Sequence, residues 1–119
     1  MSDTRDTATA YKVLTANQMA ALERDGIFAG APIDVADGFV HLSTAEQLTE
    51  TVDRHFAGQS DLHVAAVDLG SFGASLKWEP SRGGQLFPHL YGPLLLETVI
   101  AYGPLVRDGG GQVKLPIAG

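Results

Sequence analysis

The stretch Gly38-Phe39-Val40-His41-Leu42-Ser43-Thr44-Ala45 sets an imidazole between strand-type apolar residues and a helix start. An imidazole can hold or release a proton near neutral pH, or bond a ligand, when its strand exposes it. The same residues also suit a histidine at a strand end that merely bonds to backbone. A second concentration of chemistry spans residues 76–94, where Lys77, Trp78, Glu79, Arg82, His89 and Tyr91 are punctuated by Gly83, Gly84, Pro88, Gly92 and Pro93. Aromatic faces with scattered donors and acceptors, carried by strands, are what a small-molecule pocket is built from. An aromatic plug closing one end of the fold would use the same residue types. Arg82, followed by two glycines, offers an unshielded fork to a phosphate or carboxylate. Lys12, on the first strand, completes a mixed site.

Other chemistries lack their residues. The chain has no cysteine, which removes disulfides, thiol catalysis and thiolate metal sites together. No two histidines stand at the spacings that put metal ligands on one face, so no metal is expected. Ser81 precedes Arg-Gly-Gly rather than occupying a Gly-x-Ser-x-Gly elbow, which argues against a serine hydrolase. The Gly-Gly pairs lack the Lys-Ser/Thr of a phosphate loop. A net charge of −6 and the absence of a Lys/Arg run exclude a broad nucleic-acid surface. The N-terminus carries no apolar leader and no stretch suits a bilayer, so the expectation is a soluble cytoplasmic protein.

The elements that position these residues follow from period and capping. A chain of 119 residues, 45% hydrophobic and 18% charged, is one domain's worth. Residues 1–9 read as a loose tail, 10–105 as the core and 106–119 as a C-terminal tail whose residues 113–117 pair at an edge or stay mobile. Residues 11–14 read as a short strand. Thr15 and Gln18 form a capping box for a helix over 16–24, with Met19 and Leu22 inward and Gly26 as its left-handed end. Residues 27–37, with Gly30 and Pro32, read as a loop that buries Phe28 and Ile33 and is a candidate lid. Ser43-x-x-Glu46 and Thr44-x-x-Gln47 are overlapping capping boxes for a second helix, whose stripe is Leu48, Val52 and Phe56 and whose stop is Gly58. The N-terminus of that helix is expected to point toward His41 as an anion-binding corner. Residues 62–69 are too continuously apolar for an edge strand and read as central. Strands over 75–79 and 97–102 complete an α+β fold of small mixed or antiparallel sheets with two helices.

Four motifs in order carry a resemblance: Tyr11-Lys12, Gly38-Phe39-Val40-His41-x-Ser43-Thr44, Lys77-Trp78-Glu79 and Leu86-Phe87-Pro88-His89-x-Tyr91-Gly92-Pro93. Over residues 11–105 the chain resembles the bacterial family called domain of unknown function 952. That resemblance implies a distant similarity to the ADP-ribosyltransferase fold, in its tRNA 2′-phosphotransferase branch. There a first-strand histidine holds the nicotinamide-side ribose of NAD and a second lines the nicotinamide pocket. His41 matches the second position. Lys12 stands at the first, where a charged lysine can donate to a ribose hydroxyl but has no lone pair with which to accept. The branch's phosphate-gripping arginines have no motif-for-motif match, with Arg82 or Arg54 as substitutes. The implied site has His41, Lys12, Arg82 and His89 in catalytic places and Tyr11, Ser43, Thr44, Lys77, Trp78, Glu79 and Tyr91 binding the substrate. The implied function is binding of NAD or a related nucleotide, with transfer or hydrolysis of ADP-ribose. Two alternatives stand beside it: a pocket that binds a nucleotide or small ligand without turnover, and a partner-binding protein that uses the aromatic loop as an interface.

Overall fold

Thr15 closes one element and opens the next. A computed structural model, which describes residues 8–116 apart from the side chain of Arg82, places it at the end of β1 (Thr9–Thr15) and as the cap of α1 (Ala16–Asp25). Its hydroxyl accepts from the Gln18 N–H at 3.1 Å while Gln18 Oε1 accepts from the Thr15 N–H at 2.9 Å. Gly26, at φ 74°, ends the helix in the left-handed region. Met19 and Leu22 are the buried face.

Strand β4 (Leu62–Asp68) is central, as its apolar run predicts: it pairs antiparallel with β1 on one side and with β8 (Val99–Pro104) on the other. Both faces of this sheet are covered. Ala10, Leu14, Ala65 and Val67 join α1 and the second sheet in one core, while Tyr11, Val13, Val64 and Ala66 meet Leu48, Val52 and Val113 in another. Two-sided burial explains the lack of a clean polar alternation.

The run from 27 to 37 is not a continuous loop. It forms β2 (Ile27–Phe28) and a six-residue helix, α2 (Pro32–Asp37), ended by Gly38 at φ 89°. The fold thus has three helices among the described residues rather than two. Phe28 is buried as expected, but Ile33 is 58% exposed. The residue that α2 buries is instead Asp34.

Beyond α2, β3 (Val40–His41) leads into α3 (Ala45–His55), whose cap is Thr44. Of the two overlapping boxes only the second forms; the Ser43 hydroxyl bonds to that of Thr51 at 2.8 Å. Strand β3 pairs with β6 (Leu86–Leu90), which pairs with β5 (Leu76–Pro80), while β7 (Leu94–Leu95) pairs with β2. All these pairings are antiparallel. An antiparallel bridge between Tyr11 and Ser43 ties β1 to the chain just after β3. Of the tail expected at 1–9, residues 1–7 lie outside the described residues and Thr9 already pairs with Asp68. Residues 106–116 lie against α3: the Val113 N–H donates to Thr49 Oγ1 at 2.9 Å and Arg107 meets Asp53 at 2.7 Å.

Candidate functional site

In an antiparallel pair, residues directly opposite share a face. The register sets His41 opposite His89 and His89 opposite Lys77, so the three stand in one row across the β3-β6-β5 sheet. Phe39, two residues before His41, stacks on the His89 ring at 4.0 Å between centroids and touches His41 at 4.6 Å. The two imidazoles are 5.8 Å apart, edge to face.

Each ring is held by a carboxylate. His41 Nδ1 is 2.6 Å from Asp34 Oδ1 and its Nε2 is 2.9 Å from Asp37 Oδ2. His89 Nδ1 is 2.8 Å from Glu79 Oε1, an oxygen that also accepts from the Tyr91 hydroxyl at 2.8 Å. Both ring nitrogens of His41 bond to carboxylates of α2, Asp34 and Asp37, and neither faces the expected anion-binding corner at the N-terminus of α3 with a free donor.

Asp34 is the hub of this arrangement. Its carboxylate accepts from Lys12 Nζ at 2.9 and 3.2 Å, from the Ala31 N–H at 2.7 Å and from the His41 N–H at 3.0 Å. Burial alone would raise the Asp34 carboxyl, but the bonds from His41 and the Lys12 charge outweigh it and hold the group well below the usual carboxylate range. On the other side of the pair, burial draws Lys12 below its ordinary value, with Asp34 opposing. The bonds from His89 and then Tyr91 likewise hold Glu79 low.

His41 and His89 line one cleft of about 560 Å³ together with Tyr11, Lys12, Ser43 and Asp34. That volume is in the range of small-ligand sites. The imidazole of β3 and the later aromatic-basic segment therefore open into one hollow, and Ser81 and Phe87 join its wall.

Several expected residues have other places. Lys12, 5% exposed, donates to both Asp34 oxygens and to the His41 carbonyl at 3.2 Å, so its three N–H bonds are already engaged inside the protein. Thr44 is a helix cap, its oxygen accepting from the Gln47 N–H. Trp78 pairs with Pro88 on the opposite side of the strand from Lys77 and is outside the cleft lining. Lys77, exposed, sets its ammonium 5.1 Å from the Tyr91 ring centre. Glu79 and Tyr91 act behind His89 rather than in the wall. Arg82 is in a 3-10 turn, with its side chain outside the described residues. Arg54, the other expected phosphate grip, is 2.8 Å from Glu50.

Asp34 and Asp37 are the functional candidates that sequence reasoning missed. Pro32 at a helix start, Asp34 two positions on and Gly38 beyond the end are the cues that would have found their helix. No cluster of metal-ligating residues occurs among the described residues. Likewise, none of their helices is long and apolar enough to cross a membrane.

Residues 13–102 match the family model described as protein of unknown function (DUF952). No curated protein matches. The X-ray structure of protein CC0527 from Caulobacter crescentus is similar at 43% identity over 89% of this chain and 93% of that one, with a TM-score of 0.81. The solution structure of CC0527 is similar at 45% identity over 88% and 90%, with a TM-score of 0.75. With three quarters of its length in the family model and an α+β architecture shared with those structures, this chain belongs to the DUF952 family.

Proposed function

We propose that the cleft binds NAD or a related nucleotide, in an ADP-ribosyltransferase-like fold. The observation that supports this reading is the convergence of His41, Tyr11 and Ser43 with His89 on one hollow of about 560 Å³. Of these, His41 is the residue that the motif resemblance sets in the nicotinamide pocket. Phe39, His89 and Tyr91 supply ring faces nearby, and Asp37 sets a half-exposed carboxylate within the wall, suited to a cationic nicotinamide ring. Transfer or hydrolysis of ADP-ribose would proceed by loss of nicotinamide through a cation-like ribosyl centre, with orientation and fixed dipoles doing most of the stabilising.

A specific observation favours binding without turnover as the second reading. The Lys12 ammonium is engaged with Asp34 and the His41 carbonyl, so the residue standing at the ribose-holding position has no free donor to offer.

Calorimetric titration of NAD into the wild type and into His41→Ala tests binding. Saturable heat with wild type that weakens at least tenfold in the variant supports the proposal; no heat from either at millimolar NAD ends it. Chromatography for released nicotinamide separates the readings, because steady release refutes the second.

A further inference from the structure

We propose that His41 and His89 form a general acid–base pair that hydrolyses a cyclic phosphodiester of a ribonucleoside. The proposal goes beyond nucleotide binding and uses no NAD. It starts from the placement of the two rings, which are opposite each other in the β3–β6 ladder, 5.8 Å apart, on the wall of one cleft. A single tetrahedral phosphoryl group can touch both.

The two rings are prepared for opposite tasks. A carboxylate bonded to one ring nitrogen orients the imidazole and leaves the other nitrogen for chemistry. Asp34 does this for His41 at 2.6 Å and Glu79 for His89 at 2.8 Å. His41 has a second carboxylate, Asp37, on Nε2 at 2.9 Å, so with both carboxylates ionised both ring nitrogens donate at once only as the imidazolium. Nε2 of His89 has no hydrogen-bond partner among the described residues, which leaves it ready to accept. His41 is therefore the acid and His89 the base.

Each histidine is also followed, two residues on and just beyond the end of its strand, by a hydroxyl: Ser43 after His41 and Tyr91 after His89. Ser43 lines the cleft and can turn its hydroxyl from Thr51 to a phosphoryl oxygen. The pairing of β3 with β6 thus brings two proton carriers to one place.

In the reaction, His89 Nε2 takes a proton from water as the water oxygen bonds to phosphorus. The bond from phosphorus to one ribose oxygen breaks, and the proton on His41 Nε2 moves to that leaving oxygen. The substrate displaces the exposed carboxylate of Asp37 to reach that proton. The product is a ribonucleoside monophosphate, and exchange of one proton with solvent at each ring restores the starting state. Among the described residues, the charged and titratable groups around the pair are Asp34 and Asp37 from α2, Lys12 from β1, and Lys77 and Glu79 from β5, with Tyr91 beside Glu79 and His55 of α3 in the same cleft wall.

The test is incubation of the purified chain with adenosine 2′,3′-cyclic phosphate, followed by phosphorus NMR across pH. The expected result is conversion to a monophosphate with a bell-shaped pH profile, and a loss of at least ~100-fold in both His41→Asn and His89→Asn. Glu79→Gln, at a positioning residue, is expected to move one limb of the bell. Substitution to glutamine at either histidine provides a second variant where asparagine fails to fold. No turnover by wild type at any pH, or full turnover in a folded His89 variant, overturns the proposal. NAD binding without such turnover also overturns it while leaving the nucleotide reading intact, and turnover without NAD binding does the reverse.

Discussion

Lys12 and Asp34, 22 residues apart in sequence, form an ion pair with 2.9 Å between Nζ and Oδ2, and both side chains are almost wholly buried. The pair joins the first strand to α2 beneath His41, whose ring and backbone N–H both bond to the same carboxylate. The orientation of the candidate site thus depends on a buried charge pair in the cleft wall whose hydrogen bonds are spent within the protein.

Removing one partner of such a pair strands the other. Lys12→Met is expected to destabilise the fold by about 3 kcal/mol, because the Asp34 charge stays buried after its counter-charge is gone. Urea unfolding of wild type and variant measures this, and a change within error would mean that the pair carries little of the stability.

Acid should act through Asp34. Its folded pKa is depressed, so it contributes stability that is present above the unfolded carboxyl value of about 3.9 and is lost as pH falls toward the folded value. Below about pH 4 the unfolded chain gains a proton that the folded chain does not. The urea midpoint of wild type is therefore expected to fall more steeply from pH 4 to 2 than that of Asp34→Asn. Equal slopes would show that Asp34 is not the group responsible.

Gly30 is fixed by Asp34. Its φ is 130°, and an added Cβ would lie 2.8 Å from the Asp34 Cβ, part of the backbone-anchored stem of that side chain. Gly30→Ala combines a strained φ with a clash and is expected to cost about 1–3 kcal/mol. It should also shift the His41 ring resonances, since displacement of Asp34 releases Nδ1. Unchanged ring resonances would break the proposed link.

Thr44, expected as a ligand-binding residue, is a cap for α3. Thr44→Ala should cost about 1 kcal/mol of stability and leave ligand affinity unchanged. A large affinity loss at full stability would return Thr44 to the site.

The elements legible in the sequence were those with local codes. Thr15 with Gln18 and Thr44 with Gln47 announce helix starts, and the apolar run in β4 announces a strand buried on both faces. Helix α2 has weaker cues, Pro32 at its start and Gly38 past its end: it is six residues long, exposes Ile33 and Val35, and is capped by Ala31, which has no side-chain oxygen. In a run of glycine, proline and aspartate, Asp34 reads as a turn residue. Its burial is set by Lys12, and no local pattern carries a partner 22 positions away. That His41 and His89 share a cleft was expected from the order of elements, but β6, the strand that sets His89 opposite His41, read as part of a loop, and the carboxylate partners of the two rings were not legible. Glu79 reaches His89 only through the β5–β6 hairpin, and Asp37 reaches His41 only through the end of α2.

The most direct test of the account follows backbone amide resonances of the intact chain during titration with NAD. Saturable shifts centred on Tyr11, His41, Ser43 and His89, with Ile100 and Tyr102 of strand β8, outside the cleft lining, unmoved, are the predicted result. No shifts at millimolar NAD, or shifts concentrated away from those four residues, would contradict it.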